Sequence, residues 1–388
     1  MASGSTRPRL ERDALTRLAY LAMGLWGFLL YALGPALPAL RRELDIGRTV
    51  ASLHTTLAAL GFVVVGLTGD RVVARIGRRR AFWMAFAGAS AGATVLGLGT
   101  ALPVTLAGAA AMGLGGSLVV VLVHAALADR HGALSAAALS EANAVSVGLG
   151  ATAPAFVGLA ILAGGDWRAP VLAAALLAMP AVALAHRGVR FPPGDEAPHP
   201  GAPQRLPAAY WWRWLTLVLF VSAEFCVAFW STDYLQSEVE LGRSLSAALA
   251  SLFLAGMAAG RVLGGRIARA VSPERLLPAA LGMAAAGFFV FWTARSAPLS
   301  AAGLALCGLG IALLYPLTLA LAFDTVPGRS DAASARATLG SGLAIAVAPF
   351  LLAALADRFG IAPAYGIVPA LLAGGWLAGL AAGRARSS

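Results

Sequence analysis

Apolar runs of about 20 residues, the length that one helical crossing of a bilayer's hydrocarbon core requires, recur along this chain from end to end. A single run would describe an anchor for a soluble domain; recurrence over the whole length excludes that arrangement. The runs fall at 18–40, 50–69, 81–100, 102–125, 137–161, 169–186, 212–235, 246–267, 277–294, 298–322, 335–355 and 362–382. Of the 388 residues, 59% are hydrophobic and 12% charged, whereas soluble domains carry roughly 25% charged residues. Most of the surface is therefore expected to meet lipid, and the predicted fold class is an all-α integral membrane protein with 12 transmembrane helices.

The formal net charge of +11 raises nucleic acid as a partner, but the placement of the charge argues against it. All 29 basic residues are Arg, and most sit in short connections between apolar runs, a distribution that sets topology rather than building a nucleic-acid face. With the N-terminus inside, Arg41, Arg42, Arg48, Arg168, Arg243, Arg295 and Arg358 fall outside and the other 22 inside. Both termini are then expected on the cytoplasmic side of the membrane. The first run follows Arg7, Arg9, Arg12 and Arg17 but is too long for a signal-peptide core, so it is expected to remain as the first helix. Tyr20, Trp83, Trp211, Trp212 and Trp214 lie near predicted helix ends, where aromatic side chains form interfacial belts.

No cofactor or metal is expected. Cys226 and Cys307 lie inside apolar runs and read as small core residues, and the five His are scattered without ligand spacing. The chain has no Lys and no Gly-rich phosphate loop, so it does not encode an ATP-driven pump. Neither a clustered catalytic set nor a soluble sensor domain is visible, which argues against an enzyme or a non-transporting receptor.

The polar stretch from Arg187 to Arg213 holds Pro192, Pro193, Pro198, Pro200, Pro203 and Pro207 and reads as a linker at the chain's midpoint. The expected organisation is a tail (1–17), a six-helix bundle (18–186), a linker (187–211), a second six-helix bundle (212–382) and a tail (383–388). A shift of 195 residues superimposes Gly61 on Gly256, Gly113-Leu114-Gly115 on Gly308-Leu309-Gly310, Pro154 on Pro349 and Arg71 on Arg266. One offset serving four helices marks a parallel internal repeat. Pro154 and Pro349 are matched interior prolines, each expected to kink its helix.

The connection Gly69-Asp70-Arg71-Val72-Val73-Ala74-Arg75-Ile76-Gly77-Arg78-Arg79-Arg80 resembles the loop motif of the major facilitator superfamily. Arg75, Gly77, Arg78 and Arg79 match it; the acid that precedes the motif's Arg is Ala74 here, with Asp70 one turn earlier. The second half carries the weaker echo Gly260-Arg261-Val262-Leu263-Gly264-Gly265-Arg266. With Ala223-Glu224, Trp230, Gly308-Leu309-Gly310 and Tyr315-Pro316-Leu317, it is similar to a branch of bacterial permeases distantly related to fucose-type sugar carriers. The resemblance implies two six-helix bundles related by a pseudo-twofold axis. Helices one, four, seven and ten would line a central cavity, while two meets eleven and five meets eight between the bundles.

Within that frame Glu224 is the sharpest candidate, because an acid in mid-helix costs a few kcal/mol unless it faces a cavity or partner. Burial favours a carboxyl's neutral form, so Glu224 is a candidate proton-coupling site. Trp26, Tyr31, Trp230, Tyr315 and Asn143 are candidate cavity residues; aromatic rings with one polar edge suit sugars and drug-like organics, and Asn143 equally suits an interhelical hydrogen bond. Asp233, one turn beyond Trp230, reads as a solvated helix end. The implied helix pairing brings Asp70 to Arg336 and Glu141 to Arg261 as a cytoplasmic gate, together with the loop residues Arg71, Arg75, Gly77, Arg78 and Arg79. The expected activity is secondary transport of a small organic solute, coupled to protons, by a monomer in the bilayer. Uptake of a sugar or acidic metabolite stands beside efflux of drug-like compounds.

Overall fold

The computed structural model of the chain describes residues 10–192, 206–267, 271–326 and 330–387. Twelve helices among these are long and apolar enough to cross a membrane. They are α1 (Ala14–Leu44), α2 (Arg48–Ile76), α3 (Arg78–Leu98), α4 (Leu102–His131), α5 (Ser135–Leu162) and α6 (Arg168–Ala185) in the first half. The second half holds α7 (Ala208–Ser237), α8 (Arg243–Ile267), α9 (Pro273–Thr293), α10 (Ala297–Phe323), α11 (Ser330–Phe359) and α12 (Ile367–Ser387). The helix α1 begins a turn earlier than the apolar run, because Asp13 caps it: its carboxylate accepts from the Thr16 N–H at 2.9 Å. Part of the expected linker, 193–205, lies outside the described residues.

The repeat read at an offset of 195 is carried by backbone packing. In α3 against α4, a Cβ on Gly92 would stand 2.2 Å from the Met112 nitrogen and one on Gly108 2.4 Å from the Leu96 nitrogen. In α9 against α10, Gly287 meets Cys307 at 2.2 Å and Gly303 meets Phe291 at 2.4 Å, each pair being the first shifted by 195. Likewise a Cβ on Gly113 would strike the Ala58 carbonyl of α2, and one on Gly308 the Phe253 carbonyl of α8. In lipid no hydrophobic effect drives helices together, so small residues that admit backbone contact hold the bundle.

The helices α1 and α7 are buried along most of their length, whereas α6 and α12 show most of theirs outward. Leu67, Met84, Leu162, Leu177, Leu184 and Leu377 are all more than 60% exposed, a large apolar surface that a bilayer, not water, can solvate. The two halves meet where α1 packs on α7, α2 on α11 and α5 on α8. Both matched prolines lie in these contact helices, Pro154 in α5 and Pro349 in α11. Around Pro349, Thr56 of α2 donates to the Ala346 carbonyl at 2.9 Å and the Trp230 indole of α7 to the Pro349 carbonyl at 3.0 Å.

Candidate transport site

The helices α1 and α7 touch through Gly34, whose Cβ, were there one, would stand 2.7 Å from the Ala228 carbonyl. One turn toward the linker end, the Tyr31 ring stacks on Phe225 with centroids 5.9 Å apart and planes at 11°. Its hydroxyl lies 3.4 Å from Glu224 Oε1. The carboxyl is only 5% exposed, so an acid of the second half is held against a phenol of the first at the bundle's axis. The cation whose charge acts on both is Arg261 of α8. Its Nη1 donates to the Asn143 carbonyl of α5 at 3.2 Å. Tyr315 of α10 lies in the same electrostatic neighbourhood, beside Ser341 of α11. Six helices from both halves thus bring Tyr31, Asn143, Glu224, Arg261, Tyr315 and Ser341 together.

Two of the candidates drawn from the sequence stand apart from this group. Trp26 is 3% exposed and seats its ring on Gly116 of α4, with an edge-on contact to Phe62 of α2 at 6.3 Å. Trp230 is fully buried with its N–H taken by Pro349. Asn143 gives its side-chain amide to the Leu139 carbonyl of its own helix at 3.0 Å, so its contribution to the group is the backbone carbonyl.

The expected Glu141–Arg261 pair does not form. Glu141 instead accepts from Arg12 at 2.7 and 2.9 Å and from the Tyr20 hydroxyl at 3.0 Å. The reason is helical phase: residues 141 and 143 differ by about 200° around an α-helix, so Glu141 faces α1 while Asn143 faces α8. Tyr20, expected in an interfacial belt, is 8% exposed and spent on this contact; Trp211 and Trp212 are more than 40% exposed, as a belt requires. The Asp70 side chain, and with it the expected Asp70–Arg336 pair, lies outside the described residues; the Arg336 carbonyl accepts from the Trp214 indole at 2.8 Å. In the loop motif, Gly77 adopts φ +78°, a value that favours glycine, and ends α2 while starting α3. Arg78 pairs with Asp129 of α4, and Arg79 donates to the Arg187 carbonyl at 2.7 Å. Arg71 and Arg75 are exposed.

A second cluster, unread in the sequence, lies at the end of the bundle remote from the linker. Asp233 is 2% exposed, not a solvated helix end. It accepts from Arg41 at 2.5 Å and from Arg48 at 2.6 Å, both in the first half. Arg42 reaches Gln236 at 2.9 Å and Arg48 reaches Ser237 at 3.2 Å. Asp357, at the end of α11, accepts from the N–H groups of Arg48 and Thr49 at 2.9 and 2.8 Å. The residue before α2 is Gly47, which has no side chain to cap it, so the second half supplies the cap that the first half lacks.

Comparison with known proteins fits this architecture. The profile described as Major Facilitator Superfamily matches residues 19–330 and again 214–385. The chain belongs to the major facilitator superfamily. It is accordingly a multi-pass membrane transporter rather than an enzyme. A search of curated proteins by sequence finds no match. Among solved structures, the chain is similar to a bacterial homologue of the human lysosomal transporter Spinster in an inward-facing, occupied conformation. Identity is 15%, TM-score 0.71, with 96% of this chain and 94% of that one covered. It is also similar to a single-residue variant of the Escherichia coli fucose:proton symporter FucP, at 15% identity and TM-score 0.64, covering 95% and 98%. At such identities the likeness speaks for the fold.

Proposed function

We propose that this transporter moves a small organic solute across a bacterial inner membrane by alternating access, with both termini cytoplasmic, and that Glu224 couples the movement to protons. The observation that carries the reading is the placement of Glu224: a carboxyl 5% exposed, on the axis, against Tyr31 of the opposite half and within the field of Arg261. A carboxyl in that place costs several kcal/mol to keep charged without a partner, and its hydrogen bond to Tyr31 is long. Changing its protonation alters how α7 holds α1, so proton binding and the contact between halves are linked. That the similar FucP is a proton symporter supports the reading.

The direct test needs no known solute. Infrared difference spectra of the reconstituted protein across a pH jump are expected to contain a titrating carboxyl band that Glu224→Gln removes. Thermal stabilisation against a library of sugars, organic acids and drug-like compounds then supplies a solute. Glu224→Gln is expected to lower its proton-driven accumulation in proteoliposomes more than tenfold. Retention of the band, or of an unchanged pH profile, in Glu224→Gln contradicts the assignment.

A further inference from the structure

Away from the axis, a groove of about 910 Å³ lies between α3 and α6, open to the outside of the bundle. Its floor is built of small residues, Ala87, Ser90, Ala91 and Thr94, and is mainly apolar, while Leu176 and Leu184, at 52% and 66% exposure, form its lip. Beside the groove, α6 departs from an ideal helix. Residues Ala174–Ala178 form a π turn, and the Ser90 hydroxyl donates to the Ala175 carbonyl inside it.

One end of the groove is cationic. Arg79 and Arg187 both line it at the linker end, with Trp83 one turn further in. Arg79 is anchored by its bond to the Arg187 carbonyl; among the described residues, neither guanidinium has a carboxylate partner. From Arg79 to Val95 the groove floor measures about 24 Å at 1.5 Å per residue. Half a bilayer with its headgroups measures about 20 Å. The groove is therefore about one leaflet long, with two arginines at one end, Trp83 next to them and small, mainly apolar residues beyond.

The internal repeat supplies a built-in control. At the offset of 195, Arg79 becomes Glu274, Thr94 becomes Phe289 and Arg187 becomes Ala382. Phe289 is 60% exposed. The equivalent positions in the second half thus carry an acid, a ring and an alanine, so the fold does not require the arginines.

We propose that the α3–α6 groove binds an anionic phospholipid of the linker-side leaflet, its phosphate between Arg79 and Arg187 and one acyl chain along Ala87, Ala91 and Val95. The site is independent of Glu224. An Arg near an anionic headgroup contributes a factor of about five in affinity, so two contribute about twenty-five-fold.

The test is native mass spectrometry of the full chain released from bilayers of equal phosphatidylglycerol and phosphatidylcholine. The wild type is expected to retain phosphatidylglycerol with a preference on the order of twenty-five-fold. Arg187→Gln, which spares the Arg187 carbonyl and so the anchor of Arg79, is expected to retain about a fifth of that preference. Thr94→Phe, which installs the residue found at the equivalent position of the second half, is expected to lose bound lipid of both kinds. Inorganic phosphate at millimolar concentration is expected not to displace the lipid. Equal retention of the two lipids by the wild type overturns the proposal, as does a preference unchanged in both variants or displacement by phosphate alone. The thermal midpoint of each variant in phosphatidylcholine shows that it is folded.

Discussion

At the end remote from the linker, Asp233 and Asp357 of the second half take Arg41, Arg48 and the start of α2 from the first. At the linker end, Asp13 takes Arg130, Asp129 takes Arg78 and Glu141 takes Arg12, each within the first half. The difference separates two jobs that ion pairs perform. A pair across the halves must break when that end opens, so it sets the balance between conformations; a pair within one half travels with it and sets only that half's stability. The bridge through Asp233 ties the two halves together at the remote end.

Substitutions sharpen the contrast in descending order of effect. Asp233→Asn leaves Arg41 and Arg48 facing each other without their shared anion. Their side chains are 23% and 17% exposed and that of Asp233 3%, so the cost falls near the low end for buried pairs, about 3 kcal/mol. This is roughly 100-fold in the ratio of conformers, read as faster thiol labelling of Thr56→Cys, which lies between α2 and α11. Asp357→Ala is expected to cost about 1 kcal/mol as a lost helix cap. Adding Gly47→Ser, at a residue already in cap geometry (φ −68°, ψ 169°), returns the cap without returning the bridge. Thermal stability should then recover while Thr56→Cys labelling stays fast; recovery of both would mean that Asp357 acts as a cap alone.

Linker-end substitutions are expected to do less. Asp13→Asn is expected to lower the thermal midpoint slightly and leave Thr56→Cys labelling unchanged. Burial raises the Asp13 carboxyl, but bonds from Thr16 and Arg130 outweigh it and hold it below the usual aspartate range. A lowered folded-state value contributes stability above the unfolded-state value and loses it as pH falls through the folded one. The wild-type advantage over Asp13→Asn is thus expected to vanish in acid. Glu141→Gln, whose partner Arg12 is exposed, is expected to change stability too little to resolve.

These contrasts also mark what a one-dimensional reading reaches. Helix number and the repeat are legible because lipid imposes run length and because Gly61, Gly113 and Pro154 recur at Gly256, Gly308 and Pro349. Glu224 is legible because an acid inside an apolar run needs a reason. The role of Asp233 is not legible, since its partners are 192 and 185 residues away and its position in the run resembles a helix end meeting water. The Glu141–Arg261 pairing fails on helical phase, which a choice of contacting helices does not specify. The π turn of α6 and the groove beside it leave no periodic trace in so Ala-rich a segment.

The central claim is that Asp233 holds the remote end shut across the two halves. Electron–electron distances between spin labels test it most directly, using exposed positions of the two halves at each end, Thr100 with Ser296 and Arg80 with Arg275. The native Cys226 and Cys307 are buried and leave the introduced thiols to take the label. Asp233→Asn is predicted to lengthen the Thr100–Ser296 distance and shorten the Arg80–Arg275 distance. Two unchanged distances, or two that lengthen together, would contradict the account.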